Sequence, residues 1–98
     1  MSAYFIVRCL YNNIDHYQDY AKAAARAVDA YKGRFLVTGN GKQTQKEKGQ
    51  YPKTVIVEFE SLEIAVLCYE SDQYQKALSY IKYTANRDFV IAEGVDKN

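Results

Sequence analysis

The sequence predicts an α+β sandwich, a four-stranded antiparallel sheet with its helices on one face. Three observations predict it. Short apolar runs suited to strands occur at residues 3–10, 34–38, 53–60 and 88–93. Between the first and second runs, and between the third and fourth, the apolar spacing changes from two to the three-and-four pattern of helices. The longest polar stretch, residues 39–52, falls between the second and third runs, where two neighbouring strands need only a loop.

The first run is A-Y-F-I-V-R-C-L. Asn12, Asn13 and Asp15 then break the strand and offer caps for a helix. That helix is expected over 15–31, because Tyr17, Tyr20, Ala24, Val28 and Tyr31 fall on one helical face. Gly33 is expected to end it, as a glycine at a helix C-terminus commonly does. The second strand follows at 34–38. Residues 39–52 hold three glycines, the chain's one proline, and three lysines against one glutamate, and read as a loop or loose hairpin. The third strand is 53–60. Ser61 caps a short helix whose inner face is expected to be Leu62, Ala65, Val66 and Tyr69. Ser71 caps a further helical segment with Tyr74, Ala77, Leu78 and Ile81 turned inward. Residues 88–93 form the last strand, closed by Gly94. The order β-α-β-β-α-β is that of the split β-α-β, or ferredoxin-like, arrangement.

Strand parity adds an expectation about assembly. Phe5, Val7 and Cys9 share one side with Val55, Val57 and Phe59, an uncharged set that suits the helices. The other side carries Tyr4, Ile6, Arg8 and Leu10 with Thr54, Ile56, Glu58 and Glu60, too apolar to rest comfortably in water. A second copy of the chain is the expected cover, giving a homodimer through the face that bears Ile6, Arg8, Ile56 and Glu58.

Bulk composition narrows the function classes. The chain has 98 residues, which fits one domain over 1–98. A chain of this length buries only roughly 60–65% of its unfolded surface, so a partner subunit would help it. Thirteen Lys and Arg stand against twelve Asp and Glu, a net charge of +1, which argues against a dedicated nucleic-acid binder. Arg8 interrupts the first apolar run, and no basic segment precedes it, so neither a signal peptide nor a membrane span is expected. Cys9 and Cys68 form no CxxC, and a cytoplasmic location is the simplest reading. Ten tyrosines, four phenylalanines and no tryptophan make tyrosine the unusual component. Its apolar ring and polar tip suit half-wet pockets and interfaces as well as a small core.

With these elements in place, the chain resembles the bacterial family catalogued as domain of unknown function thirteen-thirty, within the dimeric α+β-barrel superfamily. The resemblance runs through Tyr4-Phe5-Ile6-Val7, Tyr17, Tyr20 and Gly33-Arg34-Phe35-Leu36 with Gly39. It continues through Val55-Ile56-Val57-Glu58-Phe59, Ser61, Ala65, Tyr69, Ser71 and Tyr74-Gln75, and closes at Glu93-Gly94. It implies the fold, a dimer, and a pocket between sheet and helices; the family has no settled activity. Superfamily relatives include cofactor-free monooxygenases and small-molecule isomerases. The chain also departs from the family. Thr38, Lys53 and Ile81 stand where Arg is common, and Glu60 and Cys68 replace a common Pro and Trp. Lysine does not reproduce the planar fork of an arginine, so the anion contacts implied by the resemblance are weakened here.

Candidate chemistry is sparse. His16, the sole histidine, sits beside Asp15 at the start of the first helix and is a weak candidate for a general base. The alternative is an exposed residue of the first helical turn, since neighbours in sequence do not face each other on a helix. Glu58, inside an apolar strand, is a second weak candidate for proton transfer. Its alternative is a structural pair with Arg8 or another cation. Neither a nucleophilic triad nor a metal site finds enough ligands or partners, and no cofactor is implied. Lys32–Val37 echoes an RNA-binding octapeptide only faintly, because Arg34 and Leu36 occupy the positions where stacking aromatics belong. Tyr17, Tyr20, Arg34, Tyr51 and Tyr69 are the expected ligand-binding residues. Tyr51 is read as a lid or as an anchor for its loop. The function expected is a homodimer that binds a small molecule in an apolar, Tyr-lined pocket. The alternatives are a cofactor-independent enzyme acting on a hydrophobic or aromatic metabolite, and a structural or regulatory dimer without a ligand.

Overall fold

The structure, a computed structural model, describes residues 1–95. Its elements are β1 (Ala3–Tyr11), α1 (Ile14–Ala30), β2 (Arg34–Val37), β3 (Lys53–Phe59), α2 (Leu62–Glu70), α3 (Asp72–Ser79) and β4 (Ala85–Glu93). The sheet order is β2-β3-β1-β4 with every neighbouring pair antiparallel, the expected ferredoxin-like topology. The predicted caps hold. The Asn13 side chain accepts from the His16 N–H, Ser61 from Ile64, and Ser71 from Tyr74. Each satisfies a backbone donor that the first helical turn leaves open.

Strand parity is as expected. Phe5, Val7, Cys9, Val57 and Phe59 are buried on the helix side. Phe5 packs its ring against Phe59, Tyr74 and Phe89 at centroid distances of 4.6, 5.8 and 4.9 Å. Buried rings of this size contribute roughly 1.5–3 kcal/mol each, so this aromatic knot dominates the small core. On the opposite side Ile6 pairs with Ile56 and Tyr4 with Glu58. No helix covers that face among the described residues, and Val90 on it is 49% exposed.

Three expectations change. First, β4 begins at Ala85 rather than Asp88, because β1 pairs with it along its whole length, from Ala3–Glu93 to Tyr11–Ala85. The polar start of β4 carried no strand signal of its own. Second, α2 turns Ala65 and Cys68 into the core, while Leu62 is 39% exposed and Val66 only half-buried. The helix is apolar nearly all round, so periodicity did not fix its phase. Third, α1 ends in a Schellman motif whose left-handed residue is Lys32, with φ 59°, and not Gly33. The Gly33 N–H donates to Val28 O and the Lys32 N–H to Asp29 O. Gly33 serves a different need, because a Cβ there would lie 2.7 Å from both Phe59 Cε1 and Val28 Cγ1.

Candidate functional site

The two helical layers meet the sheet differently. α2 packs directly on β1, β3 and β4, whereas α1 lies mainly against α3. The buried face of α1 combines the small Ala24 and Ala27 with Tyr20 and Val28. Small side chains facing the valines of β3 leave space, and a cavity of about 170 Å³ fills it. The cavity crosses the helix side of the sheet. Arg87 and Phe89 of β4 line it at one edge, and Phe35 with Thr38–Asn40 at the other. Its floor is Phe5, Val7, Val55 and Val57, and its roof includes Tyr17, Tyr20 and Ala24 of α1 with Tyr74 of α3.

Polar side chains line this space at both ends, Thr38 and Asn40 at the β2 end and a connected cluster around Arg87 at the β4 end. The Tyr20 and Tyr74 hydroxyls share a buried hydrogen bond of 2.7 Å. Arg87 Nη2 donates to the Tyr74 hydroxyl at 3.2 Å. The guanidinium lies over the rings of Tyr20 and Phe89, 5.1 and 5.0 Å from their centroids. Tyr11 joins through its ring, 4.5 Å from Tyr17 and 6.1 Å from Tyr20. Burial pushes the Tyr11 and Tyr20 phenols well above their ordinary range, with Arg87 opposing only in part. Burial works against the Arg87 charge, while any ionisation of Tyr20, Tyr74 or Tyr11 would favour it, so the guanidinium is the last of these groups to give up its proton. The site is therefore a half-buried cation beside the paired Tyr20 and Tyr74 hydroxyls.

The expected ligand residues divide. Tyr17 and Tyr20 line the cavity. Tyr17 also carries the Lys53 ammonium over its ring at 5.2 Å. Tyr69 belongs to the neighbouring aromatic packing, 5.3 Å from Tyr74 and 5.0 Å from Phe89, beside a shallow groove that also reaches Arg87. Tyr51 holds its loop to the sheet through its carbonyl, which accepts from Arg8 Nη2 at 2.7 Å. Arg34 lies on the open face, where its Nη2 is 2.6 Å from Glu58 Oε1. Glu58 thus has its cation in Arg34, with the Tyr4 hydroxyl donating to it at 3.3 Å. The sheet separates that pair from the cavity. His16 is exposed in the first turn of α1 and does not line the cavity.

Arg87, Tyr11 and Tyr74 are the site residues that sequence reasoning did not assign to a ligand. Arg87 had a signal that starting the last strand at Asp88 concealed. Once the strand begins at Ala85, Arg87 shares the helix-facing parity of Phe89 and Ile91, a charge on an otherwise apolar face. Among the described residues, no group of three or more His, Cys, Asp and Glu is placed to hold a metal ion. No described helix is long and apolar enough to cross a membrane.

Fold and cavity together define a ferredoxin-like α+β protein with a cavity between sheet and helices. The chain belongs to the family Domain of unknown function (DUF1330), whose profile matches residues 2–95. Among solved structures it is similar to a protein of unknown function from Rhodopseudomonas palustris, with a TM-score of 0.74 at 9% identity over 97% of this chain and 83% of that one. It is also similar to a dimeric ferredoxin-like protein of unknown function from Thermobifida fusca, TM-score 0.60, 15% identity, covering 93% and 89%. A third is SnoaB, a cofactor-independent oxygenase from Streptomyces nogalater, TM-score 0.61, 9% identity, covering 98% and 95%. At these identities the likeness is one of fold. No curated protein matches the sequence.

Proposed function

We propose that this protein is a homodimeric small-molecule-binding protein whose ligand occupies the cavity between α1 and the sheet. The observation that carries the reading is the cavity itself, about 170 Å³ of mainly apolar space with a cluster of convergent polar groups at its β4 end. Ligand sites are commonly built this way, from apolar walls and a few placed polar atoms. The volume is close to that of an engineered cavity of about 150 Å³ that takes up benzene. A ligand with a single ring fits the space.

The dimer is supported by the sheet face that no helix covers among the described residues. Ile6 and Ile56 sit side by side at its centre, flanked by Arg8 and by Glu58 with its Arg34 partner. The Thermobifida fusca neighbour, described as dimeric, shares the fold. Association through this face leaves the cavity on the far side of each sheet.

The second reading is a cofactor-independent enzyme acting on a hydrophobic or aromatic metabolite. The fold likeness to SnoaB and the hydrogen-bonded run Tyr20–Tyr74–Arg87 favour it, since such donors stabilise a developing oxyanion. Against it stands the lack of a base. Among the described residues the cavity is lined by no His, Asp, Glu, Lys or Cys. Burial raises the Tyr11 and Tyr20 phenols above their ordinary range, away from use as bases at neutral pH. Binding without chemistry needs no such group.

Native mass spectrometry of protein taken from cell extract tests both parts. The expected spectrum is a dimer carrying one small molecule per chain. A monomer at micromolar concentration sinks the dimer. Turnover of a bound aromatic compound that is lost in Tyr74→Phe, with the fold intact, would replace binding by catalysis.

A further inference from the structure

We infer that the ligand is a small organic anion, an apolar ring bearing a carboxylate, and that Arg87 is its counter-ion. The inference rests on the cavity being a ligand site and goes further, to the charge of what it takes. Arg87 as a whole is half-buried, but its Nε is withdrawn from water, and a charged donor so placed requires an acceptor. Arg87 lines the cavity, yet no carboxylate among the described residues forms an ion pair with it. Its Nη2 has the Tyr74 hydroxyl, and its Nε is buried with no hydrogen-bond partner. Two aromatic faces stabilise its charge without accepting an N–H. The side chain therefore retains donor capacity inside the protein, in the planar fork that matches a carboxylate.

The floor of the cavity, Phe5, Val7, Val55 and Val57, offers no polar side-chain atom to a ligand, and the polar Thr38 and Asn40 stand at the far, β2 end. The body that rests on this floor is a hydrocarbon ring, and the charge lies at the β4 edge beside Arg87. The Tyr20 and Tyr74 hydroxyls stand next to that point and can donate a further hydrogen bond to the anion. A neutral ring of the same size would fill the space and leave the buried donor unanswered, which is the costly outcome for a desolvated polar group.

The test compares benzoate with benzyl alcohol, a charged and a neutral single-ring probe, by titration into the dimer followed in amide NMR spectra. Benzoate is expected to shift resonances from α1 and β4 and to bind more tightly than benzyl alcohol. Arg87→Met is expected to weaken benzoate by about ten- to hundred-fold, and benzyl alcohol by less than about two-fold. Arg87→Lys keeps the charge without the fork and should fall between the two. If Arg87→Met fails to fold, Arg87→Lys together with the probe comparison in the parent protein carries the test. Equal binding of the two probes, unchanged by substitution at Arg87, overturns the anion and leaves the cavity as a ligand site. Failure of both probes to perturb any cavity residue overturns the cavity reading as well.

Discussion

The hydroxyl oxygens of Tyr20 on α1 and Tyr74 on α3 lie 2.7 Å apart in the interior, and Tyr74 also accepts from Arg87. Tyr74 is therefore the centre of the network and Tyr20 an end of it. Tyr20→Phe removes one hydrogen bond and leaves Tyr74 its contact with Arg87, a loss of about 0.5–1.5 kcal/mol. Tyr74→Phe strips a partner from both neighbours and takes the acceptor from the part-buried Arg87 Nη2, costing about 1–3 kcal/mol. Urea unfolding of the two single variants and the double variant checks this. The expected order is Tyr74→Phe weaker than Tyr20→Phe, with the double variant less destabilised than the sum. An equal loss in the two single variants would mean that Arg87 gains nothing from Tyr74.

The end of α1 offers a substitution in each direction. Lys32 occupies the left-handed region at φ 59°, which costs an L-residue with a side chain about 1–2 kcal/mol. Lys32→Gly relieves this and should raise stability by about 1 kcal/mol, read as a higher urea midpoint with the same slope. Gly33→Ala should do the reverse. Its methyl would meet two core side chains, on Phe59 and Val28, at 2.7 Å, and overpacking of that kind costs about 1–3 kcal/mol. A neutral Gly33→Ala would show that the junction between α1 and β3 yields more easily than its packing suggests.

The same region marks where a sequence is readable and where it is not. Gly33 is legible as a boundary, yet which residue takes the left-handed turn depends on how the chain must enter β2 over Phe59. Strand β3 and the serine caps are legible because each rests on local chemistry, alternation in one case and an open N–H in the other. Tyr17 and Tyr20 could be placed on the inner face of α1 by spacing alone. Arg87 could not be placed, because Ala85–Arg87 becomes strand only through its ladder with β1, a tertiary cause with no local trace. The parity argument gave Glu58 its face correctly. It did not give its partner, since Arg34 reaches Glu58 across the β2–β3 pairing rather than from β1. The cavity was expected from resemblance, but its cause, an alanine-rich helix standing off the sheet, is a packing outcome.

The open sheet face makes a prediction about assembly that separates from stability. Ile56 stands opposite Ile6 at the centre of that face. Ile56→Asp places an unpaired carboxylate there and should give a folded monomer, seen as a halved mass in light scattering with unchanged far-UV circular dichroism. Arg34→Ala is the control. Its side chain is 73% exposed in the free subunit, so in the Ile56→Asp background losing its pair with Glu58 should change unfolding by no more than about 1 kcal/mol. An Ile56→Asp variant that stays dimeric would move the interface to another surface.

Alkaline pH should destabilise the protein earlier than ordinary tyrosines would. Cys68 is fully buried, and burial pushes its thiol from 9.0 up to about 11. Tyr11 and Tyr20 move the same way from 10.0, again chiefly through burial. In the unfolded chain each group ionises at its ordinary value, so as pH rises the unfolded state loses these protons first. A state that sheds protons more readily is favoured by rising pH, and folding stability falls. The contribution of these groups is whole below about pH 9, declines from there through Cys68, and steepens past pH 10 as the two phenols join. Urea midpoints measured from about pH 7 to 10.5 check the onset. Cys68→Ala should lower stability at neutral pH through a small cavity, yet remove the part of the decline that begins at pH 9. If the parent and Cys68→Ala decline in parallel over that interval, the thiol is not the group that titrates.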